Sequence, residues 1–335
     1  MGWQRGDEAL AAQIEAAGAS CELRPMRLGA ARHLQRSMAL TDVVQALASR
    51  RAARGVDARA VIYSSVTAAL LQPVRHPHAV RFDTIAALNR PGIGGAWQRR
   101  REPAVLRRAD LLLPMSETAA AAVTDAVGAT ARQIVLPPPL TRPAAPATDA
   151  PDATAYAANP EKRGLDVLVE AWRAAAPADA RLVVSGIDSA AALRWLRQRG
   201  VEPPAGVEFA GALDRERWTA LVAGSRVYLS AARYEDWGVA QMEALVAGTP
   251  LVTVPTPGPN AALPLARQLA PELVAADGTA AALAAALRAG LALGDSARAV
   301  YAAAAREQTA PFSDATLRTV VADEVVPALL GDRSR

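Results

Sequence analysis

The chain has 335 residues, 51% hydrophobic and 21% charged, with a formal net charge of +4. That length favours two domains over one core, the composition excludes a disordered chain, and no run of about 18 apolar residues reads as a transmembrane helix. The pI of about 9.7 does not mark a nucleic-acid binder, because one lysine, Lys162, stands among dispersed arginines and aromatic residues are only 4%, too few for stacking platforms.

In chain order, the opening MGWQRGDEALAAQIEAAG predicts a helix over 7–17, with Asp7 as N-cap and Leu10, Ile14 and Ala17 at helical spacing. A doubly wound domain normally opens with a strand that becomes central in its sheet. Here nothing precedes the helix that reads as one, so a first strand is expected to be missing. Strands are then predicted at 20–28, 59–66, 78–85, 109–115 and 132–136, and helices at 40–54, 96–108 and 117–127. Beyond the Pro-, Ala- and Asp-rich stretch 137–153, which reads as a linker, strands fall at 153–158, 181–186, 207–211, 226–231 and 250–254. Helices fall at 163–175, 189–199, 214–223, 238–247, 279–290 and 294–307. Alternating apolar strands and amphipathic helices, twice over, predict two parallel sheets covered on both faces. The expected domains are 1–145 and 146–310, with a terminal helix, 311–330, crossing back to the first.

Two domains of this kind create a cleft at the C-terminal edges of their strands, where helix N-termini favour anionic groups. The stretch RYEDWGVAQMEALVAGTP places Glu235 in the loop after a strand and Glu243 on the helix that follows, with seven residues between them. Any amphipathic helix can carry two solvated acids at such positions. Here the surrounding residues are Trp237-Gly238 after the first acid and Glu243-Ala244-Leu245-Val246-Ala247-Gly248-Thr249-Pro250 around the second. This pattern resembles the C-terminal domain of retaining glycosyltransferases of the GT-B fold, family-four type.

The resemblance covers 153–255 well and the first half loosely. It implies a GT-B fold of two Rossmann-like domains facing a cleft, and transfer of a sugar from a nucleotide-diphosphate sugar to an acceptor glycan, glycolipid or small molecule. Glu235 would meet the donor sugar, Glu243 the ribose hydroxyls, and Gly238 with Val239 and Trp237 the diphosphate at a helix N-terminus. Arg163 of NPEKRGLDVL, with Lys162 beside it, would neutralise the leaving diphosphate without a metal or other cofactor. Gly211, Ala212 and Leu213 would line the nucleobase. Two positions depart from the family: Ala157 where a second arginine is common, and Ala232 where a serine is.

On the acceptor side the resemblance suggests Gly2 and Gly6 as a glycine loop near phosphates. Arg81, Asp83, Asn89 and Arg90 supply polar groups near a strand end. His76 and His78 read as surface residues. Gly92, Gly94 and Gly95 do not follow a first strand and so are not a dinucleotide fingerprint. The helix 96–108 carries five arginines beside Trp97, Val105 and Leu106. It reads either as a solvated face interrupted by Pro103 or as a peripheral contact with an anionic membrane.

No signal peptide is evident, the single cysteine, Cys21, cannot form an internal disulfide, and no Cys/His cluster has zinc spacing. A cytoplasmic bacterial protein is therefore expected, at the inner face of the membrane if the basic helix binds it. A phosphorylase is disfavoured because the only lysine stands at the diphosphate position. The alternative is a decayed GT-B protein, a scaffold or partner subunit, as the missing strand, Ala157 and Ala232 would allow.

Overall fold

A computed structural model of the chain describes residues 2–29, 33, 38–73, 75–128, 131–143 and 145–331. Its contacts divide the chain into two compact units, residues 1–139 with 312–335, and residues 140–311.

The first unit contains a four-stranded parallel sheet in the order β1 (Val61–Tyr63), β2 (His78–Phe82), β3 (Leu111–Pro114), β4 (Arg132–Gln133). The β4 pairing runs on past its named residues, since the Ile134 and Leu136 amides donate to the Leu112 and Pro114 carbonyls at 3.0 and 2.8 Å. Every residue of β2 and β3 is buried, as expected of parallel strands covered on both faces. Side chains alternate between the faces. Val80, Phe82 and Leu112 pack with helices α2 (Met38–Ala52), α3 (Val66–Ala69), α5 (Ala96–Arg108) and α6 (Glu117–Val127), while Ala79, Leu111 and Leu113 face the opposite core with Leu10. Ser65 and Ser116 cap α3 and α6 directly after their strands, each satisfying an otherwise unpaired amide of the first turn.

Helix α1 spans Gly2–Ala16, so Asp7 lies within it and not at its cap. Residues 2–6 are helical, and among the described residues no strand precedes β1. The strand expected at 20–28 is absent; this stretch runs as irregular chain. Its alternating apolar residues suit a strand, but a strand exists only where a neighbour pairs with it, and Pro25 lacks the amide such pairing needs.

The C-terminal segment belongs to the first unit. Helix α14 (Asp314–Val320), a π turn (Val321–Val325) and α15 (Val326–Leu330) bury Leu317, Val321, Val325 and Leu329 against Leu10, Leu111, Leu113, Ile134 and Leu136. A stripe repeating every fourth residue drifts by about 40° per step around an α-helix, and the wider π turn takes up that drift. Gln13 donates to Asp314 (2.9 Å) and Arg59 to the Leu330 carbonyl (2.8 Å), tying the segment at both ends.

The second unit is a five-stranded parallel sheet, β7 (Val207–Gly211), β6 (Leu182–Ser185), β5 (Ala153–Tyr156), β8 (Val227–Ser230), β9 (Leu251–Thr253) in spatial order. Helices α7 (Leu165–Ala175), α8 (Ser189–Arg197), α9 (Arg215–Gly224), α10 (Val239–Ala247), α11 (Ala262–Leu269), α12 (Ala280–Leu291) and α13 (Asp295–Thr309) cover it; the sequence pattern did not predict α11. Chain order reverses between β5 and β8, and in sheets of this kind ligands bind at the C-terminal edge of such a switch point. Before β5, the Ala147 amide donates to the Ala220 carbonyl (2.8 Å), so this part of the Pro/Ala-rich stretch lies on α9.

Candidate active site

Both loops at the switch point are built around glycines. After β5 the chain turns tightly: the Lys162 amide donates to Asn159 Oδ1 (3.0 Å) and the Arg163 amide to the Asn159 carbonyl (2.9 Å). This sets both cations at the start of α7. Gly164 follows with φ of 61°, and a Cβ there would lie 2.1 Å from the Ala231 carbonyl oxygen. Only glycine meets both conditions, so the two loops pack backbone to backbone, and the Arg233 amide donates to the Lys162 carbonyl (2.9 Å).

Glu235 is held in the loop after β8. It is 3% exposed, its amide donates to the Pro257 carbonyl (3.2 Å), and its carboxylate forms an ion pair with Arg163. Arg163 also lies over the Tyr156 ring, 5.6 Å from its centroid. Lys162 pairs with Asp236 at 2.7 Å and lies 5.7 Å from the Tyr234 ring.

Glu243 lies on α10, as the spacing predicts. One carboxylate oxygen accepts a hydrogen bond from Trp218 Nε1 (2.6 Å) and the other pairs with Arg215. An ionised carboxylate has further lone pairs to offer a hydroxyl. Trp218 meets Tyr156 edge to face at 5.7 Å, so rings connect the Arg163–Glu235 pair to Glu243. Tyr228 completes this aromatic wall, 6.2 Å from Trp218; burial pushes its phenol well above the usual range, and the nearby Arg163 charge opposes that shift.

The turn into α10 needs Gly238, at φ of 85°, where a Cβ would lie 2.5 Å from Asn260 Oδ1. Asn260 donates to Gln241 Oε1 (2.8 Å), Gln241 donates to Ser230 Oγ (2.8 Å), and Asn260 Oδ1 accepts from the Ala262 amide (3.0 Å). This buried network fixes the start of α10, and Trp237 packs beside it at 3% exposure. Val239, the first residue of α10, is exposed.

Sequence reasoning missed Arg215, Trp218, Gln241 and Asn260. Gln241 was a readable signal, a polar residue in the otherwise apolar run Val239-Ala240-Gln241-Met242; the others act through contacts distant in sequence. Gly211 ends β7 at φ of 66°, its carbonyl accepting from the Gly186 amide at 2.7 Å, with Ala212 and Leu213 next on the exposed turn. Ala157 and Ala232 are buried and supply neither the cation nor the hydroxyl common at those positions.

In the first unit the polar residues near β2 divide. Asp83 and Asn89 stay partly exposed after the strand. Arg81 is 1% exposed, donates to the Gly6 carbonyl (3.3 Å) and faces Asp7 at 3.6 Å. Burial lowers the Arg81 pKa and raises that of Asp7, and each charge partly offsets the other's shift. Gly2 and Gly6 belong to α1 and form no glycine loop. Arg90 pairs with the buried Asp42 at 3.2 Å. His78 is a correction: it is 6% exposed, at the start of β2 beside Asp110 (3.4 Å), not on the surface. Pro103 does not break α5, which is continuous over Ala96–Arg108.

Among the described residues, no group of three or more His, Cys, Asp or Glu is placed to hold a metal ion, and no single helix is long and apolar enough to cross a membrane.

Residues 153–292, which contain all the second-unit residues of this site, match the family described as Glycosyl transferases group 1. Among solved structures, the chain is similar to WaaG, a glycosyltransferase involved in lipopolysaccharide biosynthesis, at 16% identity and TM-score 0.68, covering 99% of this chain and 96% of that one. The fold is GT-B. Anabaena Alr3699/HepE in complex with UDP-glucose matches at 16% identity and TM-score 0.65, over 80% of this chain and 78% of that one. Sucrose-phosphate synthase (tll1590) from Thermosynechococcus elongatus matches at 19% and 0.66, over 85% and 77%. No curated protein matches the sequence.

Proposed function

We propose that this protein is a retaining glycosyltransferase that moves a sugar from a nucleotide-diphosphate sugar to an acceptor. The observation that carries this reading is the joining of Arg163, Glu235 and Glu243 through Tyr156 and Trp218 at the switch point of the second sheet. The bond between the anomeric carbon and the diphosphate breaks, and a bond from the acceptor oxygen to that carbon forms on the same face. The acceptor's proton passes to the departing phosphate oxygen. Arg163 neutralises the charge that develops on that phosphate, and Glu235 stands against the cationic sugar. Glu243 takes the ribose hydroxyls, and the Gly211–Leu213 turn lines the base.

UDP-glucose is the first donor to test, because the Anabaena HepE structure is of a UDP-glucose complex. Calorimetry with UDP and GDP should give binding that Glu243→Ala weakens by about ten- to a hundredfold, the range for losing a charged hydrogen-bond partner. Absence of binding to any nucleoside diphosphate would favour the scaffold reading, to which the buried alanines at 157 and 232 lend weight.

The acceptor side would use Asp83 and Asn89. Peripheral membrane contact is proposed through α5, where Arg100, Arg101, Arg107 and Arg108 are exposed and Ile93, just before the helix, is 95% exposed. Sedimentation with phosphatidylglycerol vesicles at low salt should carry the protein down, and the double variant R100E/R101E should weaken vesicle binding by at least about thirtyfold, at about 1 kcal/mol per basic residue. Equal sedimentation of the variant would remove the membrane role.

A further inference from the structure

Both cations of the β5 loop are already occupied by acids of the β8 loop. Arg163 pairs with Glu235, and Lys162 with the next residue, Asp236, at 2.7 Å. A third pair joins the β8 loop to the first turn of α7, where Arg233 meets Asp166 at 2.6 Å, and Arg233 also donates to the Glu161 carbonyl of the β5 loop at 2.7 Å. The loops are thus closed by opposite charges as well as by the Gly164–Ala231 backbone approach.

The two inner acids differ in their freedom. Glu235 is fixed from both sides, by the hydrogen bond its amide donates to the Pro257 carbonyl and by Gly258, where a Cβ would lie 2.2 Å from the Glu235 carbonyl oxygen. Asp236 has a side chain 19% exposed, and that of Lys162 is 35% exposed, so this pair can open into solvent while the inner pair holds.

We propose that Asp236 is a built-in competitor for the donor's diphosphate: it pairs with Lys162, must be displaced when the nucleotide sugar binds, and returns as the nucleoside diphosphate leaves. Asp236 thereby sets donor and product affinity through Lys162. This rests on the donor site assigned under the glycosyltransferase reading.

The test is binding of UDP and of inorganic pyrophosphate to the wild type, Asp236→Asn, Lys162→Met and the double variant. Pyrophosphate carries the diphosphate group without base or sugar, and more negative charge than the esterified group, so it reports on the cations even if the donor is not a uridine sugar. Asp236→Asn keeps the side-chain shape and should bind both probes about three- to fivefold more tightly, the scale of a partly exposed ion pair. In the Lys162→Met background the same substitution should change affinity by less than about twofold. The proposal is overturned if Asp236→Asn binds pyrophosphate no more tightly than wild type, if the gain persists without Lys162, or if no variant binds pyrophosphate. Tighter pyrophosphate binding by Asp236→Asn with no nucleotide binding by any variant would keep the competition and discard the transferase.

Discussion

Arg163→Ala is expected to lower kcat by about two to three orders of magnitude, the usual loss when one preorganised stabiliser of developing charge is removed. In the proposed reaction the leaving diphosphate gains negative charge as the glycosidic bond breaks, and the guanidinium is the cation nearest the buried acid expected at the reacting carbon. The substitution has a second cost. Glu235 is 3% exposed, and without its partner it stands as a buried carboxylate. Removing one member of such a pair destabilises by about 3–5 kcal/mol when burial is complete; Arg163, with a side chain 23% exposed, leaves a water path that reduces this. Arg163→Lys separates the two effects, since it restores the charge but not the planar fork. Single-turnover kinetics beside thermal melting should show Lys recovering most of the stability and only part of the rate. An alanine variant that keeps the wild-type kcat would remove Arg163 from the chemistry.

Glu102→Gln is expected to abolish a pH dependence of stability in the first unit. Glu102 lies on α5, is 3% exposed, accepts a hydrogen bond from the Ala86 amide at the start of the short helix α4 (Ala86–Asn89) at 2.6 Å, and accepts one from Gln98 at 3.0 Å. Burial raises its pKa from 4.5 to about 7, against the opposing effects of those two hydrogen bonds and of Arg90. The folded pKa exceeds the unfolded one, so the folded state holds the proton between pH 4.5 and about 7 while the unfolded state has released it. Stability from this group is therefore highest below pH 4.5, falls as pH rises to about 7, and is level above that, a total of about 3 kcal/mol. A glutamine keeps the acceptor for Ala86, and Gln98 can reverse its amide to accept from the new NH2 group. Denaturant unfolding of wild type and variant from pH 5 to 8 should give a difference in stability that grows with pH and levels off. A constant difference would mean that Glu102 does not titrate in that window.

Helix and strand order was legible because it rests on local periodicity. Buried strands such as Leu111–Pro114 and capped helices after Ser116 or Asp188 carry their signals within a few residues. The acids proposed for the donor side were found by spacing for a similar reason: Glu235, Gly238 and Glu243 lie on one turn and one helix, so their order survives in the chain. The stretch 20–28 was misread because alternation describes a strand's faces and says nothing about its neighbours. His78 was misread because burial at the start of β2 depends on Asp110 and Tyr63, brought there by strand pairing and helix packing.

By itself the sequence determined two α/β units, most of their element order, and the acids and glycines around one strand exit, since each follows from steric and hydrophobic rules acting over a turn or a strand. Tertiary structure alone decided which charges meet. Lys162 and Asp236 are 74 residues apart, and Trp218 reaches Glu243 from a different helix. Such pairings depend on which strands lie adjacent at the switch point, and that order is set by packing of the whole sheet rather than by any local run of residues.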